Sequence, residues 1–306
     1  MRKLVLPLVL AWFVWLPAHG QSWPRRISNA DGSVTQLNQP AQRILSTSVT
    51  ITGSLLAINA PVIASAADNS GRFFEQWQSV AKSRAVNKLW SAGSVDLEAV
   101  YLAQPDLIVV SSTGADSVID QLTELRTIAP TIVLDYSTQS WQEIALKLGQ
   151  AAGYEQQAEQ TIAAFNVRVQ EARQAMDLPH GKANIVSYHG AGVVNAVARE
   201  DGAHSRLLKS LGFEIEELAA QWQAGPISHK DFMRTNFENL SYLTGETTFL
   251  LAASSTRADD FMHNIILKNL PSVKNQQVYG LGEHSFRIDL FSANEIIEQM
   301  LSYFKK

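Results

Sequence analysis

The residues best equipped for chemistry are arginines and aromatic rings in expected loops at the carboxyl ends of strands. They are Arg72, Phe73, Trp77 and Trp90 in the first half of the chain, and Tyr188, His189, Arg199, Trp222, Lys230, Phe286 and Arg287 in the second. Open α/β sheets place ligands at such strand ends. A guanidinium makes charge-assisted hydrogen bonds to oxygen anions and stacks on rings, so this mixture suits a large, planar, anionic ligand. Arg287 is singled out because Phe286 precedes it and the loop Leu281-Gly282-Glu283 leads to it from an expected strand. Its alternative role is an ion pair with Asp289 or Glu283 that fixes the loop. Reacting groups are harder to find. There is no G-x-S-x-G nucleophile elbow, no G-x-G-x-x-G and no G-x-x-x-x-G-K-[ST], and His189-Gly190-Ala191-Gly192 reads as a glycine-bearing turn. The histidines, at 19, 180, 189, 204, 229, 263 and 284, form no H-x-x-x-H, so no dedicated metal site and no cofactor are expected.

The elements that must position these side chains alternate. Apolar runs at Ile44-Leu45-Ser46, Val62-Ile63-Ala64, Leu107-Ile108-Val109-Val110 and Thr131-Ile132-Val133-Leu134 predict buried strands, with helices near 52–58, 74–83, 94–103, 115–126 and 140–151. A second series predicts strands near 184–188, 213–216, 248–252 and 277–280 and a closing helix from about Ala293 to Phe304. Between the series, Ala158, Ile162, Phe165, Val169, Ala172 and Met176 form one apolar helical stripe from about Glu155 to Asp177. The expected fold is α/β, with two lobes of mainly parallel sheet joined by a single long helix. The lobes are assigned to 21–154 and 179–306, and the connecting helix to 155–178. The halves also share a pattern: Leu97-Glu98-Ala99-Val100 followed by Pro105-Asp106-Leu107 aligns without a gap with Phe237-Glu238-Asn239-Leu240 followed by Gly245-Glu246-Thr247.

Composition narrows the setting. Of 306 residues, 46% are hydrophobic, enough for two lobes, and 25 basic against 29 acidic residues give a formal charge of −4. An acidic chain argues against nucleic acid and anionic membrane as partners, so an anionic ligand needs a local basic pocket. Met1-Arg2-Lys3, the short apolar run Leu4–Leu16 and Pro17-Ala18-His19-Gly20 read as a signal peptide over 1–20, because such a run falls short of the roughly 20 residues that span a bilayer. With no cysteine for lipidation or disulfides, the expected product is a soluble periplasmic monomer.

Several blocks resemble the periplasmic substrate-binding proteins of siderophore and cobalamin ABC importers, particularly the ferric-enterobactin type. They run from Arg43 to Ile58 (RILSTSVTITGSLLAI) with Ala60-Pro61-Val62-Ile63-Ala64-Ser65, through Thr127-Ile128-Ala129-Pro130-Thr131 and Ser140-Trp141-Gln142. They continue to Gln277-Val278-Tyr279 and Ser285-Phe286-Arg287-Ile288-Asp289. The resemblance implies a groove between two lobes that binds a ferric catecholate siderophore, with Arg287 and Arg72 neutralising the chelate. It further implies that Glu98 and Glu238 dock onto basic residues of an inner-membrane permease. Catalysis is not expected. An all-aromatic groove would point instead to cobalamin, a Tyr or His reaching iron to haem or a tetradentate siderophore, and a hydrogen-bonded Ser–His pair to a siderophore esterase. A neutral hydroxamate siderophore is a further alternative.

Overall fold

A computed structural model describes residues 22–226 and 230–306; the expected signal peptide lies outside them. The first half forms β1 (Arg25–Ser28), β2 (Val34–Leu37), β3 (Ile44–Ser46), α1 (Val49–Ala57), β4 (Val62–Ala67), α2 (Glu75–Ser83), β5 (Asn87–Ser91), α3 (Leu97–Ala103), β6 (Leu107–Ser111), α4 (Leu122–Ile128), β7 (Thr131–Leu134) and α5 (Trp141–Ala152). After α6 (Glu155–Ala175) come β8 (Lys182–Ser187), β9 (Val194–Ala198), α7 (Ala203–Ser210), β10 (Glu214–Ile215) and β11 (Phe232–Asn236). The chain closes with β12 (Thr247–Leu250), α8 (Ser255–Met262), α9 (Pro271–Lys274), β13 (Val278–Gly280) and α10 (Leu290–Phe304). No helix among the described residues is long and apolar enough to cross a membrane.

Strands β5-β4-β3-β6-β7 make a wholly parallel sheet. Its strands alternate side chains between two buried faces: Leu107 and Val109 of β6 enter one core, Ile108 and Val110 another. The second sheet, β11-β9-β8-β12-β13 with β10 beside β8, is mixed. There β8, β10, β12 and β13 are parallel, whereas β9 runs antiparallel to both β8 and β11. The departure from a mainly parallel expectation comes from β9 and β11, which sequence periodicity did not flag. Val194-Asn195-Ala196 of β9 sets a polar residue between small apolar ones, and Arg234-Thr235-Asn236 of β11 is polar throughout.

The apolar stripe of α6 is buried at Ala158, Phe165, Val169 and Ala172. This helix packs on α5 of the first lobe and on α10. It stops at Ala175, two residues short of expectation, because the chain turns extended and pairs with its own C-terminus. Asp177 N donates to Phe304 O at 2.8 Å and Lys306 N to Ala175 O at 3.0 Å. One continuous core joins α1, α5 and α6 to strands β8 and β12 and to Ile296, Ile297 and Met300 of α10. The lobes therefore share buried apolar surface as well as a helix, and the loops after β4 and β13 are held facing each other.

Candidate ligand groove

The loop between β13 and α10 is fixed from within. Ser285 Oγ donates to Gly282 O at 2.7 Å and accepts from Ala252 N at 2.9 Å. Its carbonyl accepts from His204 Nε2 at 2.7 Å, which places the proton on that nitrogen. Ser292 Oγ donates to the Arg287 carbonyl at 2.6 Å. Asp289 does not pair with Arg287; it caps α10, accepting from Phe291 N at 2.8 Å and Ser292 N at 2.9 Å. Phe286 is thus presented outward, 46% exposed. The Arg287 guanidinium lies 4.6 Å from its ring centroid and 5.3 Å from that of Tyr136, which belongs to the first lobe. Among the described residues no carboxylate forms an ion pair with Arg287, so its N–H groups face the groove unspent.

A cavity of about 310 Å³ joins the lobes here, lined by Asp68, Arg72, Phe73 and Gln76 on one side and by Glu283, His284, Phe286 and Arg287 on the other. Asp68 organises the first-lobe wall as a turn, accepting from Ser70 N at 2.8 Å and Arg72 N at 2.9 Å. Burial works against its charge, but the bonds from Ser70 and Arg72 outweigh it and lower the carboxyl. Arg72 donates through Nε to Ser70 Oγ at 2.9 Å and its side chain is 69% exposed. At the rim His284 bridges the lobes, with Nε2 3.0 Å from Glu75 of α2 and Nδ1 2.9 Å from Glu295 of α10. Partial burial opposes its protonation, yet the two glutamates raise its pKa above the ordinary value.

Phe286 and Arg287 also border a second cavity of about 230 Å³, lined by Ser187, His189, Asn195, Asp231, Phe232 and Arg234 among others. Asn195 holds the loop after β8, accepting from His189 N at 2.7 Å and donating to Gly190 O and Val193 O at 3.0 Å. Ser187 Oγ and His189 Nε2 lie 3.0 Å apart. They are two residues apart at one strand end, and a pair of this kind is not by itself a hydrolytic triad, whose histidine is oriented by a third group.

The structure thus brings Arg72, Phe73, His189, Phe286 and Arg287 to one groove. The remaining candidates line neither cavity. Trp77 is fully buried in the core, and Trp90 packs from β5 on the smaller core of the first lobe. Tyr188 stacks edge-on to Phe261 at 5.1 Å beneath Arg257. Arg199 bonds to Glu217 at 3.0 Å and Gln223 at 3.2 Å, and Trp222 lies flat on Tyr242 at 4.2 Å. Lys230 is exposed beside the undescribed residues 227–229. Several groove residues escaped the sequence reading, among them Arg234, exposed on β11, and Phe232 of the same strand; so did Tyr136, just beyond β7, which meets Arg287 without lining either cavity. Placing Arg234 required recognising an antiparallel strand. Tyr136, in Asp135-Tyr136-Ser137, follows a strand that was recognised, so its place at that strand's carboxyl end was the available signal. Glu98 and Glu238 are exposed, each one residue into a short helix that leads to the strand next to β3 or β8.

Two α/β lobes, a single connecting helix and a groove at facing strand ends define a binding protein of the siderophore and cobalamin type. The chain belongs to the periplasmic binding protein family, which matches residues 44–284. It is 39% identical over 293 residues, 92% of this chain and 91% of the relative, to the ferric enterobactin-binding periplasmic protein FepB of Escherichia coli O6:H1. The solved structure of holo-ViuP superposes with a TM-score of 0.92 at 57% identity, covering 94% of this chain and 97% of that one. The catecholate-siderophore binding protein VctP of Vibrio cholerae, at 19% identity and a TM-score of 0.67 over 92% and 100% of the two chains, shares the fold.

Proposed function

We propose that this chain captures a ferric catecholate siderophore in the periplasm and delivers it to an inner-membrane ABC importer. The observation that carries the reading is the convergence of Arg287, Arg234 and Arg72 around one groove walled by Phe286, Phe73 and Phe232. A tris-catecholate ferric complex carries a charge of about −3, and leaving such charge unpaired on burial costs several kcal/mol. Three guanidiniums supply cations beside the carboxylates of Asp68, Glu75, Glu283 and Asp231 on the same linings, with Arg72 4.0 Å from Glu75 and Arg287 in no ion pair among the described residues, and the rings supply flat walls. The relative FepB, named for ferric enterobactin, supports the ligand class. An all-aromatic groove, as cobalamin would favour, is not what these cavities offer.

The protein acts by binding and release, as a monomer, and iron enters only as part of the cargo. Glu98 and Glu238, exposed at equivalent places in the two lobes, are its contacts with the permease. Tryptophan fluorescence of the mature protein, titrated with ferric enterobactin, a linear ferric bis-catecholate, ferrichrome, haemin and cobalamin, tests the reading. Saturable quenching by the catecholates at concentrations well below those needed for the others is expected. Ferrichrome or cobalamin binding as tightly as the catecholates would refute the proposed ligand class.

A further inference from the structure

Anion binding by the arginines leaves one buried acid without a role. Asp116, 3% exposed, accepts from Ser48 Oγ at 2.6 Å and from Thr50 N at 3.1 Å in the first turn of α1. Its other oxygen accepts from Tyr136 OH at 2.7 Å. A buried carboxyl group is costly unless its lone pairs are met, and here the donors are neutral and belong to two separate segments of the first lobe, the start of α1 and the turn after β7. Burial first, and Asp116 second, raise the Tyr136 phenol well above its ordinary range, so it stays a protonated donor. Gly114, at φ +86°, lets the ring in, because a Cβ at that residue would stand 1.5 Å from the phenol oxygen. The opposite end of this arrangement is Arg287, whose guanidinium lies between the Tyr136 and Phe286 rings.

We propose that Asp116, acting through Tyr136, is a positioning residue for Arg287: it anchors a first-lobe ring against the second-lobe guanidinium, so the cation is set in the groove before an anion arrives. The ring attracts the cation while leaving its N–H groups for oxygen. A carboxylate in the same place would compete for them. The value of this positioning rests on the reading of Arg287 as an anion contact.

The test follows the Arg287 Nε–Hε resonance in ligand-free protein by nitrogen–proton NMR, identified by its loss in Arg287→Lys. Tyr136→Leu is expected to move the resonance downfield, away from the ring current. Tyr136→Phe, which keeps the ring and loses the bond to Asp116, is expected to move it less, as is Asp116→Asn. Ferric-catecholate affinity should fall about three- to tenfold in Tyr136→Leu and be partly retained in Tyr136→Phe. An unmoved resonance in Tyr136→Leu, or a moved one with unchanged catecholate affinity, overturns the positioning role. If Tyr136→Leu fails to fold, Tyr136→Phe and Asp116→Asn decide by the same two measurements. A wild-type protein that binds no ferric catecholate would defeat the functional reading, while the resonance alone would still decide whether Asp116 and Tyr136 place the guanidinium.

Discussion

The loops after β13 and after β4 face each other across one cavity, and they hold their arginines by different means. Arg287 is half-buried, its carbonyl is bound by Ser292, and rings from both lobes flank its guanidinium. Arg72 sits on a turn built by Asp68, and its side chain, 69% exposed, is restrained chiefly by its neighbour Ser70. A preorganised cation loses little freedom when it meets an anion, whereas a mobile one gives up rotamer entropy and is screened by solvent. The second lobe should therefore set most of the affinity, and the first should help steer the anion in.

At the outer surface this asymmetry should vanish, and the largest effect is expected there. Glu98 and Glu238 are both exposed and lead into equivalent strands. Reversing both charges is expected to abolish siderophore uptake in cells while leaving affinity in vitro nearly unchanged. An equal loss of binding would place these glutamates in ligand capture. If one reversal stops uptake and the other has no effect, the lobes do not dock as equivalents.

Within the groove the asymmetry should return. Arg287→Ala is expected to weaken ferric-catecholate binding by about ten- to a hundredfold, the loss of about one charge-assisted hydrogen bond. Arg287→Lys should recover only part, since a point charge replaces a planar fork. Arg72→Ala should cost only about two- to threefold at physiological salt, with a larger effect at low salt, as befits an exposed charge. Fluorescence titrations at two ionic strengths separate these outcomes; equal losses for the two arginines would erase the distinction between the walls.

The parallel sheet of the first lobe was legible because strands buried on both faces are continuous apolar runs, as at Leu107–Val110 and Thr131–Leu134. The stripe on α6 was legible for the analogous helical reason, down to Phe165 and Val169. The antiparallel pair β9 and β11 was not, since neither Val194–Ala198 nor Phe232–Asn236 is a continuous apolar run, and Arg234 was lost with it. Arg72 and Arg287 could be found because they sit in loops after strands that were recognised. Arg199 and Trp222 looked equally suited by type, and each meets a partner distant in sequence, Glu217 for one and Tyr242 for the other. Residue type announces what a side chain can do, and only packing decides whether it is already doing it elsewhere.

The smallest expected effect lies behind Arg287, where two buried titratable groups have opposed signs. Burial pushes His204 down to about 4 and pushes Asp289 up to about 6. A depressed histidine contributes stability that is complete above its unfolded value near 6.5 and is lost as pH falls through about 4. A raised aspartate contributes stability that is complete below 3.8 and is lost as pH rises through about 6. At pH 5 the two amount to roughly 1–2 kcal/mol each, of opposite sign, so between pH 7 and pH 5 they should nearly cancel. His284, raised by Glu75 and Glu295, adds a little to the acid side, discounted for its exposure. Denaturant unfolding of the wild type should accordingly vary little over this interval. Asp289→Asn keeps a capping side chain without a charge to bury, and it should leave the His204 loss uncovered, so the variant weakens on acidification. His204→Gln should do the reverse and grow more stable as pH falls to 5. Parallel pH profiles for the two variants would show that the groups do not oppose each other, and that the second-lobe wall is not balanced between a histidine kept neutral and an aspartate reluctant to ionise.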